Sequence, residues 1–171
     1  ESSFDATNHL IKVGCKRIAL LSTIDNLSVG KLRVQGYQKA LELNKITEHS
    51  SLLILENNLE QFDQKLIHLL DNNTLDAIFA LDEHASTMAM KFALKKGISI
   101  PNDLQIIGFA DGVWSRRLTP SLSTVSQHAP EIGTKAAALL IDKLTTFDEF
   151  YEHKTVVIKT ELRQRESTRK L

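Results

Sequence analysis

The sequence predicts an α/β fold, a doubly wound parallel sheet covered on both faces by helices, and three observations lead there. Strand-like and helix-like segments alternate through four rounds up to Phe109. The strand-like segments are near-continuous apolar runs, the pattern of strands buried on both faces. The composition, 42% hydrophobic and 25% charged over 171 residues, suits one filled core and excludes disordered and collagen-like classes.

The elements follow in order. Phe4, Thr7, Leu10 and Ile11 recur at helical spacing, and Gly14 supplies a stop. Arg17 to Leu21 reads as a short buried strand. Ser28 is placed to cap the next helix, where Leu32, Tyr37, Ala40 and Leu41 share a face. Leu52 to Leu55 is a second strand. Leu59, Phe62, Leu66, Leu69 and Leu70 form a helical stripe. Asp76 to Leu81 is a third strand, followed by a helix carrying Ala85, Met88, Ala89, Phe92 and Ala93 and ended by Gly97. Leu104 to Phe109 is a fourth. A loop from Asp111 to Ser121 leads to a strand over Leu122 to Val125. A longer helix from Pro130 to Leu144 turns Ile132, Ala136, Leu139 and Leu140 inward. Thr155 to Leu162 alternates as an edge strand does. The tail from Arg163 to Leu171, with four basic side chains, is expected outside the core.

The bulk numbers exclude several functions. Lys+Arg and Asp+Glu are both 21, so the net charge is zero. Phosphate neutralisation normally demands a basic excess, so this segment is not expected to touch DNA by itself. The single cysteine, Cys15, permits neither an internal disulfide nor a thiolate metal cage. No apolar run approaches the roughly 18 residues of a membrane span, and Glu1 to Asp5 has no signal-peptide pattern. The six histidines show no metal-ligand spacing. Walker, GxGxxG and GxSxG motifs are absent, so no cofactor and no enzymatic activity are expected.

In an open parallel sheet, ligands bind beyond the carboxyl ends of the strands. That rule selects Ser22 to Ser28, then Asp82-Glu83-His84, then Ala110-Asp111-Gly112, with Arg33 early on the second helix. A carboxylate and a guanidinium there would bond the polar groups of a small molecule. Simpler roles fit the same residues. Asp82 directly precedes a helix and suits an N-cap. Arg33 suits a solvated helix face. Asp111-Gly112 is ordinary turn chemistry.

Six collinear runs resemble one family. They are His9 to Leu21, Arg33 to Leu41, Asp76 to Asp82, Gly97 to Phe109, Pro120 to Gln127, and Glu161-Leu162 with Arg165, Ser167 and Thr168. Together they resemble the lactose and purine repressor (LacI-type) family of transcription regulators. That resemblance implies a periplasmic-binding-protein-like sensor of two lobes behind a helix-turn-helix head, with head, hinge and most of the first lobe upstream of Glu1. Residues 1–22 would be a first-lobe remnant and crossover, 23–126 the second lobe, 127–150 a helix returning to the first lobe, and 151–171 the final strand and tail. Leu10, Ile11, Ile132 and Leu139 would then lose their cover, which favours pairing with another chain.

The resemblance also implies effector contacts. Arg33 matches the helix arginine that grips effector hydroxyls, and Phe109, Ala110 and Asp111 match a ligand loop. Gln127 matches a crossover glutamine, and Asp82 the aspartate that ends the family's third-strand motif. Ser28 closes the first strand-end loop and joins the set. Two positions depart from the pattern: Leu81 stands where asparagine is usual, and Ala110 where the first loop aspartate is usual. Losing such a charge-assisted hydrogen bond costs ~1.5–3 kcal/mol. The expected effector is therefore a sugar, sugar acid or derivative, less hydroxylated or anionic, anchored on Arg33 with Arg116 or Arg117 nearby. The family also implies a cytoplasmic homodimer, with operator DNA bound only through the head. The alternative is an extracytoplasmic sugar-binding protein of a transporter.

Overall fold

A computed structural model describes residues 1–109, 111–145 and 154–171. Ala110 and the expected boundary at residues 150 and 151 lie outside them. The elements are α1 (Ser2–Lys12), β1 (Ile18–Ser22), α2 (Ser28–Leu43), β2 (Leu53–Leu55), α3 (Leu59–Asn72), β3 (Ala77–Ala80), α4 (Glu83–Lys95), β4 (Gln105–Gly108), α5 (Val113–Arg117), β5 (Ser123–Ser126), α6 (Ala129–Thr145) and β6 (Glu161–Arg163). One sheet runs β2-β1-β3-β4-β5-β6. The first five strands are parallel, and β6 pairs antiparallel with β5.

The continuous apolar runs are explained by two-sided burial. Successive strand residues point to opposite faces. Ala19, Leu21, Ile78, Ala80 and Ile106 join the core under α3 and α4. Ile18, Leu20, Ala77, Phe79 and Ile107 join the core under α1 and α2. β2 and β3 flank β1, so the chain reverses direction across the sheet there and opens a crevice above the strand ends.

The helix ends follow from local chemistry. Gly14, at φ +98°, closes α1, and the N–H groups of Gly14 and Cys15 bond the carbonyls of Ile11 and Leu10. Asn58 caps α3 by accepting from the Gln61 N–H. Gly36 lets α1 and α2 approach closely: a Cβ there would lie 2.8 Å from that of Ser3.

Several expectations need correction. Leu10, expected to be uncovered, is fully buried, because α1 packs against α2 and beneath the sheet. Ser28 does not cap α2; Leu27 occupies that position without a side-chain bond. α5 replaces part of the expected loop. The final strand is three residues, not the eight from Thr155 to Leu162, since only Glu161–Arg163 reach β5. The tail is only partly outside the core: Ser167 and Thr168 are buried, while Arg169 to Leu171 are exposed. α6 turns none of its residues into the core; Ile132 and Leu140 are exposed and Leu139 is half-buried.

Candidate functional site

The strand ends of β1, β3, β4 and β5 converge on one polar edge. Arg33 reaches across it from the second turn of α2. Its Nη1 donates to the Leu81 carbonyl at 2.6 Å, and its Nη2 donates to Gln127 Oε1 at 3.0 Å. Its guanidinium lies over the Phe109 ring, 3.7 Å from the centroid, and Phe109 in turn packs on Phe79. A stacked, half-buried guanidinium held along two edges has one orientation. Burial pulls the Arg33 group below its ordinary value, against the opposing field of Asp82; a guanidinium remains charged regardless. Arg33, Phe109, Gln127, Val29 and Leu32 line a crevice of about 230 Å³.

Each expected site residue has a definite place. Leu81 contributes its carbonyl, while its side chain is fully buried. Phe109 supports Arg33 from below and is 5% exposed. Asp82 caps α4: Oδ1 accepts from the Ala85 N–H at 2.9 Å and Oδ2 from the Thr23 N–H at 2.7 Å. Its carboxylate thus ties the β1 loop to α4, the simpler of the two roles open to it. Ser28 is exposed and outside the Arg33 crevice. Ala110 lies outside the described residues.

Asp111 is bound to the C-terminal tail. Oδ1 accepts from Thr124 Oγ1 at 2.9 Å and from Arg165 Nη2 at 2.5 Å, and Oδ2 accepts from Arg163 Nη1. Burial works to raise the Asp111 carboxyl. The Arg165 and Thr124 hydrogen bonds and the two arginine charges outweigh it and hold the group below its usual value. Sequence reasoning missed this pairing. The available signal was the spacing of Arg163 and Arg165, two residues apart and therefore on one side of an extended segment.

A second crevice, of about 530 Å³, adjoins the first through Gln127. Arg116, Arg163 and His128 line it with Glu83, Asp111 and Glu131; Arg117 does not. Glu83 accepts from Trp114 Nε1 at 2.6 Å. Among the described residues no group of three or more His, Cys, Asp or Glu side chains forms a metal cluster, and no helix is long and apolar enough to cross a membrane. Cys15 is buried, and burial, followed by the field of Asp76, raises its thiol to about 11, which leaves it an inert packing residue.

Comparison with known proteins gives one consistent picture. Residues 7–168 match the periplasmic-binding-protein-like domain family. The HTH-type transcriptional repressor PurR of Haemophilus influenzae (strain PittEE) is 31% identical across the whole of this chain and 53% of its own length. The chain thus spans about half the length of the curated relatives it matches. The transcription regulator CcpA of Lactococcus lactis superimposes with a TM-score of 0.86 at 25% identity, over 98% of this chain and 61% of that one. A complex of the transcriptional regulator CelR with cellobiose superimposes at 0.85 and 27% identity, over 97% of this chain and 51% of that one. With the sheet order, the strand-end crevice and these matches together, the chain belongs to the periplasmic-binding-protein-like domain family, and the relatives it matches there are LacI/PurR-type transcription regulators.

Proposed function

We propose that this chain is the effector-binding portion, mainly the second lobe, of a LacI-type transcription regulator. A small polar effector, a sugar, sugar acid or derivative, sits on the strand-end edge and bridges to a first lobe outside this chain. Lobe closure is a population shift that sets how two helix-turn-helix heads of a cytoplasmic homodimer address operator DNA. The observation that carries this reading is the Arg33 guanidinium, stacked on Phe109 and braced by Leu81 and Gln127 where the strands end. The relatives found are transcription regulators, which favours this reading over a transporter component. CelR, with its cellobiose, makes a carbohydrate-like effector the natural class to test.

The test is a gel-shift titration with the intact regulator and its operator. Specific binding that changes with added effector, and loses that response in Arg33→Ala, is the expected result. Effector response unchanged in Arg33→Ala would refute the assignment of the site. Specific operator binding by residues 1–171 alone would refute the assignment of DNA recognition to a separate head.

A further inference from the structure

The donors and acceptors around Arg33 are unequally distributed. Arginine offers five N–H donors and no acceptor. Two are spent, on the Leu81 carbonyl and on Gln127 Oε1. The Nε–H is buried with no partner. Among the described residues Arg33 makes no ion pair, although it is half-buried. A partly desolvated cation is costly until it meets an opposite charge.

Among the described residues no neighbouring carboxylate contacts Arg33 directly, and only the field of Asp82 acts on it. Asp82 is occupied by the Thr23 and Ala85 N–H groups. Asp111 is occupied by Arg163, Arg165 and Thr124. Glu1 lies exposed on the crevice wall. Leu81 and Ala110 have no polar side-chain atoms to offer.

Gln127 sharpens the imbalance. Arg33 can only donate, so the amide oxygen of Gln127 must face it. The Nε2 end, another donor, is left for the two crevices that Gln127 lines. Besides the buried Nε–H, the edge thus has the unspent Nη hydrogens and an amide N–H₂, with a positive charge that no carboxylate contacts among the described residues.

We propose that the effector carries an oxyanion, a carboxylate or phosphate, seated on Arg33 and Gln127, and that Gln127 sets the preference for an anionic over a neutral ligand. This rests on the effector-sensor reading above. A planar carboxylate meets the guanidinium fork with two parallel hydrogen bonds. A neutral hydroxyl has no second oxygen to match the fork and brings no negative charge to it. Turned to a carboxylate, residue 127 would itself neutralise Arg33 and repel the ligand's oxyanion.

The experiment is calorimetry on the intact regulator with matched probes: glucose, gluconate, glucuronate and a hexose phosphate, and ribose with ribonate. Operator gel shifts run in parallel. The acids or the phosphate are expected to bind at least about tenfold more tightly than their neutral counterparts, with the two arms telling carboxylate from phosphate. Gln127→Glu is expected to erase that preference while leaving circular dichroism unchanged. Arg33→Lys, which keeps the charge but loses the fork, is expected to weaken carboxylate binding. A neutral sugar binding as tightly as its acid, or an anion preference surviving Gln127→Glu in a folded protein, overturns the proposal. So does an absence of binding by every probe while operator binding is intact. Loss of specific operator binding in the unaltered protein would instead strike the regulator reading, and the calorimetry would still decide the anion preference.

Discussion

The C-terminal tail and α6 exchange the roles their compositions suggest. The tail from Arg163 is charged and hydroxylated, yet Ser167 is fully buried and Thr168 nearly so. α6 carries Ile132, Leu139, Leu140, Ile141 and Leu144, yet no residue of it is buried. This part of the tail is buried because its polar groups are paired. Ser167 Oγ donates to the Ile106 carbonyl at 2.6 Å and accepts from the Ser123 N–H at 2.8 Å. Its backbone bridges Ile106 and Ser121. Asp111, 7% exposed in its side chain, gathers Arg163 and Arg165. Paired polar groups bury at little net cost, whereas an apolar stripe buries only where a complementary surface exists. Composition alone therefore does not decide which segment is inside.

The tail's role is tested most severely at Asp111. Asp111→Ala leaves Arg165, 14% exposed, without its carboxylate, and should cost about 3 kcal/mol in urea unfolding. That cost should depend on pH. The folded-state value of Asp111 is depressed, so its contribution is complete above the ordinary carboxylate range and lost as pH falls through the folded value. The wild-type and Asp111→Ala stabilities should therefore converge below about pH 4. A gap of constant size down to pH 2 would mean that the carboxylate charge is not what holds the tail.

A smaller effect is expected at Ser167. Ser167→Ala strands the Ser123 N–H and should cost about 1–3 kcal/mol; a neutral substitution would show that the tail is held by its arginines alone. The smallest effect belongs to α6. Leu140, 57% exposed, should tolerate alanine within about 0.5 kcal/mol when residues 1–171 are unfolded on their own. A loss of 2 kcal/mol or more there would reveal a covering surface and remove the contrast with the tail.

Much of the fold was legible in the sequence. Period and turn chemistry located the five parallel strands, α1 to α4 and α6, since each signal is carried by residues within a few positions of one another. The partial misreadings arose where the partner is distant. Thr155 to Leu162 alternates, but only Glu161–Arg163 find hydrogen-bonding partners on β5. Ser28 is a good cap by type, but the chain places Leu27 at the cap position. The short α5 has too few residues for periodicity to declare it.

The candidate site divides along the same line. Strand ends plus the resemblance of the motifs selected Arg33, Phe109, Asp82, Asp111 and Gln127 from the sequence. Their roles depended on contacts across 48 residues to Leu81 and 94 to Gln127. Asp82 and Asp111 have the same chemistry in the sequence. One caps a helix and the other ties down the tail.

By itself, then, the sequence determined the layered α/β architecture, the family and the end of the sheet where a ligand would lie, because hydrophobic period, caps and collinear motifs are local properties. Only the tertiary structure decided that α1 is covered and α6 is not, that Ser167 and Thr168 of the basic tail are buried, and that among the described residues Arg33 contacts a ring, a carbonyl and an amide but no carboxylate. Those outcomes depend on which distant groups fold into hydrogen-bonding reach.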